Sequence, residues 1–157
     1  METQLKTRNP KLAPLSAEHR SGFEFVGQLR KSFGSIPVDR IRDYTRWYWK
    51  NHIKPHFYQE EKILLPYLPE GHPLASRLKD EHQYIRNLVL ELDKGGDISL
   101  FCRFCDLLVE HINFEEEIFF SWFEQNLDSL QLTAISKELE SHPISEIKWD
   151  DAFWVSL

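Results

Sequence analysis

Cysteine is scarce. Cys102 and Cys105 are the only two in 157 residues, too few for a disulfide-stapled secreted scaffold. No apolar run reaches the ~18 residues that a membrane span requires. The N-terminal METQLKTRNPKLAP lacks the apolar centre of a signal peptide. A soluble cytoplasmic protein is the expectation. Basic charge is also short, with 19 Lys and Arg against 25 Asp and Glu and a net charge of −6. Phosphate backbones need a basic surface, so nucleic acid is not an expected partner. There is no phosphate-binding glycine loop and no His-Glu-x-x-His zinc motif. The Glu-x-x-His pairs of ferritin-like proteins and a nucleophile elbow are also missing. No segment alternates with a strand period, and there is no low-complexity tract. Aromatics are plentiful, at 11 Phe, 5 Trp and 5 Tyr, and hydrophobic residues make up 41%. That suits one domain with a substantial core.

Three regions are expected: an N-terminal arm over 1–14, a helical bundle over 15–142 and a tail over 143–157 that packs back on it. Ser16 suits a helix cap, with Glu18 in the first turn. The first helix carries Leu15, His19, Phe23, Val26 and Phe33 and stops near Gly34–Pro37. A second helix runs from about Val38 to Leu65, with Ile41, Trp49, Ile53, His56, Glu60 and Leu64 on one stripe. His72 and Pro73 start a third, whose stripe is Leu74, Leu78, His82, Ile85, Val89 and Leu92. Lys94-Gly95-Gly96-Asp97 stops it. The fourth runs from near Asp97 to about Leu127, with Phe101, Phe104, Leu108, His111, Glu115, Phe119 and Trp122 in line. A shorter helix follows over 128–140, and the tail carries Trp149, Phe153 and Trp154. Short turns between long amphipathic helices predict an all-α, up-down-up-down antiparallel four-helix bundle.

Polar residues interrupt the apolar stripes. Each stripe holds one histidine: His19, His56, His82 and His111. Glu60 follows His56 by four residues, as Glu115 follows His111, so each pair shares a helix face. Burying six such groups is costly unless something satisfies them. A lone histidine on such a stripe is more often a hydrogen-bonded core group. One per helix, with two carboxylates, instead suits iron, zinc or manganese. Four His and two Glu exceed one tetrahedral zinc and fit two metals bridged by carboxylates. Helical rise puts Glu60 and His82 at similar depths, about 15 Å from their shared turn, while His19 stands about one turn out of level with His56.

These motifs resemble the hemerythrin-like, HHE cation-binding family over roughly Leu15 to Leu132. The residues that carry the likeness are Glu18-His19, His56-Phe57-Tyr58-Gln59-Glu60-Glu61, Glu81-His82 and His111 followed by Glu115-Glu116. The resemblance implies a non-haem pair of iron ions, with an oxo or hydroxo bridge as one form. His19, His56, His82 and His111 would be terminal ligands and Glu60 and Glu115 bridges. Glu116 is the alternative bridge, because oxygen-carrying hemerythrins place an Asp one residue further along. Those carriers also have a second histidine on the third helix, where this chain has Leu78 and Arg86. One iron is therefore expected to have a poorer nitrogen set, with water, Glu61, Glu81, a tyrosine or an external ligand filling the gap. The implied function is binding or sensing of oxygen, nitric oxide or iron. The alternatives are an enzyme reducing peroxide or nitric oxide, and a helical interaction module with structural or no metal.

Other residues read more plainly. His52, one turn before His56, is expected to be a surface or partly buried histidine, with an extra ligand as the alternative, and His72 a cap or loop residue. Glu61, Glu81, Glu116 and Glu117 are by default solvated. The Cys102-Arg103-Phe104-Cys105 segment lies within a predicted helix with no second pair, so ordinary packing is favoured over zinc.

Overall fold

The computed structural model describes residues 7–157, and every regular element among them is helical. The first six residues of the expected arm lie outside the described residues. Ala13–Ser32 form α1. The second rod is segmented: α2 (Val38–Tyr48), a π-helical turn (Trp49–Ile53), α3 (Lys54–Gln59), a second π turn (Glu60–Leu64) and a 3₁₀ turn (Leu65–Tyr67). Pro73–Lys94 form α4. The fourth rod is α5 (Ile98–Phe114), a π turn (Glu115–Phe119) and α6 (Phe120–Asn126), and Ser129–Ser141 form α7.

Local chemistry sets several boundaries. The His72 ring accepts from the Leu74 amide at 3.1 Å, which caps α4. Gly95, at φ 123°, ends that helix in a conformation that L side chains rarely adopt. Asp97 caps α5 through the Leu100 amide. Asp128 and Gln131 form a reciprocal capping box at the start of α7. Ser16 is not a cap. It lies inside α1, which starts at Ala13 because Leu12 and Leu15 are fully buried and draw the first turn into the core.

The core has two parts. One gathers Phe25, Leu29, Tyr44, Tyr48, Phe57, Phe101, Phe104 and Leu108. The other gathers Leu12, Leu15, Leu64, Leu78, Phe114, Phe119, Phe120 and Phe123. Between them lies a buried polar layer of His19, His56, Glu60, His82, His111, Glu115 and Glu116. In chain order, α1 carries residues of the second cluster, then His19, then residues of the first; the second rod carries the first cluster, then His56 and Glu60, then the second; α4 and the fourth rod carry the clusters in these same two orders.

The π turns shift the expected stripes. A π turn inserts one residue, which rotates everything after it. Beyond Glu115 the fully buried rings are therefore Phe119, Phe120 and Phe123, and Trp122 is only partly buried. On the second rod Tyr48 takes the buried place expected of Trp49, immediately before a π turn.

The tail's Phe153 is buried against the first cluster, with Trp149 and Trp154 packed beside it. Arg40 bonds Asp151 through two nitrogens, at 3.1 and 2.6 Å. Phe153→Ala should destabilise the fold by about 3 kcal/mol, the low end for a buried phenylalanine because the tail can relax. Urea unfolding checks this, and a change within experimental error would mean that the tail adds nothing to the bundle.

Candidate metal centre

The polar layer brings all six predicted residues to one point. The residues sort into two overlapping sets, His19, His56, Glu60 and Glu115, and Glu60, His82, His111 and Glu115. Within each set one ligand atom per residue lies within 4.8 Å of every other. Glu60 and Glu115 belong to both. Each carboxylate starts a π turn, a device that often marks functional sites. The π turn at Trp49–Ile53 also inserts a residue ahead of His56. That draws His56 back toward the level of His19, and their Nε2 atoms lie 3.1 Å apart.

Carboxylates behind the rings fix three of the four imidazoles. His19 Nδ1 meets Glu116 at 2.6 Å, His82 Nδ1 meets Glu61 at 2.6 Å, and His111 Nδ1 meets Glu81 at 2.8 Å. A carboxylate accepts from Nδ1–H, which leaves the Nε2 lone pair for the centre. Each such carboxylate comes from a different rod than its histidine. Ring stacking completes the hold, with His82 on Phe57 at 3.7 Å and His19 on Phe120 at 5.2 Å between centroids.

This geometry bears on three expectations. Glu116 turns away from the centre and accepts from Ser16 and His19, so Glu115 is the carboxylate that faces both sets. Glu61 and Glu81 do not fill a gap at the centre. They bond imidazole Nδ1 atoms, and Arg86 and Arg77 brace them from outside. Nor is the nitrogen supply uneven, since each set has two histidines and the same two carboxylates. Glu117 is exposed, as expected. His52 stands partly buried against Glu18 at 3.3 Å, outside both sets.

The orienting carboxylates were the part that sequence reasoning missed. Their signal was adjacency: Glu61 follows Glu60, Glu81 precedes His82 and Glu116 follows Glu115. A neighbour one residue along a helix points about 100° away, toward the adjoining rod. Arg8 carried no signal. It donates to Glu124 at 2.8 Å and to the Glu116 carbonyl at 2.5 Å, and it lies above Phe120. It thus braces the back of His19.

The donor atoms fit a cation. Both Glu60 oxygens, Glu115 Oε2, His82 Nε2 and His111 Nε2 are buried without a hydrogen-bond partner. His82 Nε2 lies 3.1 Å from Glu60 and His111 Nε2 lies 2.9 Å from Glu115, close enough to bond but not aligned to do so. Each unsatisfied buried group costs about 1–3 kcal/mol, and more when charged. Imidazole nitrogens and carboxylate oxygens converging in a dry interior suit a divalent transition ion.

A family model, the hemerythrin HHE cation binding domain, matches residues 11–123. The chain belongs to that family. Neither the curated proteins nor the solved structures gave a significant match. Membership of the family and the two His/Glu sets together point to cation binding. No helix among the described residues is long and apolar enough to cross a membrane.

Protons compete for this centre. Burial opposes charge on His111, but the Glu115 carboxylate and the bond to Glu81 outweigh it and raise the ring to about 10. His19 and His56 are raised for the same kind of reason. Burial favours the neutral form of Glu61, Glu81 and Glu116, yet the facing histidines and arginines hold all three below the ordinary 4.5. In metal-free protein the histidine contribution is full below the ordinary 6.5 and is lost as pH rises toward about 10. The carboxylate contribution is present above 4.5 and is lost on acidification. Metal-free protein should therefore melt at a lower temperature at about pH 9 than at about pH 6. Metal-loaded protein, which needs neutral imidazoles, should not decline in that range. Calorimetric titration with divalent metal in buffers of different ionisation enthalpy should show proton release persisting to about pH 9. Metal uptake without proton release would mean that these rings are not the ligands.

Proposed function

We propose that this protein holds two iron ions in an up-down-up-down antiparallel bundle and uses them to bind or sense a small diatomic ligand, oxygen or nitric oxide. His19 and His56 would hold one ion, His82 and His111 the other, and Glu60 and Glu115, which belong to both sets, would serve both. The bundle spans 15–142, with an arm before it and a tail after it. The alternating order in which the four rods pass from one core cluster to the other supports this topology. A reducing, cytoplasmic setting suits two unpaired cysteines.

The observation that carries the reading is a pair of equal donor sets sharing two fully buried, unsatisfied carboxylates. A cavity of about 20 Å³ lies beside them, bounded by His19, Gly22, Tyr48, Leu108, His111 and Glu115. A single water-sized probe needs about 10–15 Å³, so the cavity admits a water or a diatomic molecule and little else. Ile53, Phe57, Leu108 and Ile112 give it an apolar wall opposite the histidines and Glu115, which suits a small neutral ligand.

When bound, a ferrous pair supplies electrons to such a ligand. The chain does the rest. Glu116, Glu61 and Glu81 hold the imidazole edges, and Phe57 and Phe120 wall them. Leu108, Ile53 and Ile112 supply the cavity's apolar wall, and Gly22 leaves room where a larger residue would intrude. A Cβ at Gly22 would stand 3.0 Å from the Ile112 Cδ1 atom and press it inward.

The interaction-module reading has less support, because its docking tail packs on the bundle through Phe153. The enzyme reading differs in kind, since it requires repeated turnover with a reductant. Protein expressed with iron and purified without chelator should carry two irons per chain, by elemental analysis. Glu60→Ala should lose both ions together, because both sets use that carboxylate. Gly22→Ala should keep the iron but weaken oxygen or nitric oxide binding about tenfold or more, as overpacking costs about 1–3 kcal/mol and tenfold is about 1.4. Full iron with unchanged gas affinity in Gly22→Ala would remove the cavity from the account. Zinc alone, or no metal, would remove the iron reading.

A further inference from the structure

The rings at the two ends of the bundle differ in chemistry. Beyond the polar layer on the Glu115 side, the buried rings are Phe114, Phe119, Phe120 and Phe123. Phenylalanine fills space but does not give up an electron under biological conditions. On the cavity side, the ring cluster is built on Tyr44, Trp47, Tyr48, Trp149 and Trp154. These are the side chains that can be oxidised by one electron. Phe25, Phe57, Phe101 and Phe104 share the cavity end, and Tyr67 and Trp122 pack beside the far cluster, so what sets the cavity end apart is that its oxidisable rings border the cavity and continue to the tail.

The oxidisable rings form a path. Tyr48 lines the cavity together with His19, His56, His111 and Glu115. Its ring centroid lies 6.3 Å from Tyr44 and 6.4 Å from Trp47. Tyr44 lies 4.7 Å from Trp154 and 5.9 Å from Trp149, and Trp47 lies 5.6 Å from Trp149. Both tail tryptophans are partly exposed. They also lie outside the 11–123 segment that the family model covers.

We propose that Tyr48, Tyr44, Trp47, Trp149 and Trp154 form an electron relay between the metal-side cavity and the protein surface, through which an external one-electron donor reduces an oxidant bound in the cavity. The proposal rests on the di-iron reading above. The oxidant considered is hydrogen peroxide and the donor ascorbate. Peroxide takes two electrons and two protons and gives two waters. The electrons arrive one at a time. Tyr48 gives an electron to the cavity side and its phenolic proton to Ser21 Oγ, 2.7 Å away, as that half-exposed hydroxyl passes its own proton to solvent. An electron from Tyr44 or Trp47 refills Tyr48, and a proton returns by the same route. The vacancy moves to Trp149 or Trp154, where ascorbate fills it. Two such passages convert one ascorbate monoanion to dehydroascorbate with release of one proton, and a second proton drawn from solvent completes the two that peroxide takes up. Burial raises the ionisation of Tyr48 above its ordinary range, so the ring is a neutral phenol beforehand and its proton must leave with the electron.

The test uses the full chain loaded with ferrous iron, treated with hydrogen peroxide without ascorbate, and read by peptide mass spectrometry and freeze-quench electron paramagnetic resonance. Oxidised Trp149 or Trp154 is expected, with a transient aromatic radical. Tyr48→Phe keeps the ring and removes the oxidisable phenol. It should bind iron as the parent does and lower tail oxidation to the level of metal-free protein. Trp149→Phe with Trp154→Phe should instead leave the radical on Tyr44, Trp47 or Tyr48, and ascorbate should quench it more slowly. Tail oxidation that is equal in Tyr48→Phe, or equal without iron, would overturn the relay and mean direct attack from solution. A chain that takes up no iron would overturn the di-iron reading and the relay with it, whereas normal iron loading with the Tyr48→Phe result unchanged would overturn the relay alone.

Discussion

Carboxylates and imidazoles held away from water set the terms for this molecule. An ion moved into a protein interior loses several kcal/mol of hydration, and only well-placed partners recover it. Here Glu60 and Glu115 are fully buried, with three of their four oxygens unpaired. The bundle therefore invests its second layer of polar residues in holding four rings around them. Glu116, Glu61 and Glu81 each reach across from another rod to an imidazole edge; Ser16, Arg86 and Arg77 donate to those carboxylates in turn, and Arg8 bonds the Glu116 carbonyl and pairs with its carboxylate at 3.5 Å. The hydrophobic core yields to the same demand by dividing in two around the layer. A cation shared between the two sets would supply what the hydrogen bonds do not.

Much of this was legible in the sequence. The four rods follow from apolar spacing and from turn chemistry at Gly34–Pro37, His72-Pro73 and Gly95-Gly96. The site residues follow from one histidine per stripe and two i, i+4 carboxylates. Depth counting alone placed His19 a turn out of level. Periodicity assumes 3.6 residues throughout, and the chain departs from that at Trp49–Ile53, Glu60–Leu64 and Glu115–Phe119. No residue type announces a π turn. For that reason Trp122 and Trp49 were expected inside, while Phe120 and Tyr48 hold those places. Arg8 was equally invisible, because its partners Glu116 and Glu124 lie more than a hundred residues away.

The same displacements shape the surroundings of the centre. The π turn after Glu115 sets Phe120 under His19 and closes that end with inert rings. The π turn at Trp49 follows Tyr48, whose ring stacks on Phe25 at 4.0 Å and borders the cavity. This chain lacks the second third-helix histidine of oxygen carriers, and the two sets are equal, with two histidines and the same two carboxylates each, so neither set is marked out by its residues. What distinguishes them is the neighbourhood, since the small cavity is bounded by His19, His56 and His111 but not by His82.

The most direct test of the centre is anomalous X-ray diffraction from crystals of the iron-loaded protein, collected on either side of the iron edge. The expected result is two iron peaks, both touched by Glu60 and Glu115, one flanked by His19 and His56 and the other by His82 and His111. A single peak, peaks away from these residues, or none in protein that carries iron in solution would contradict the shared-carboxylate centre.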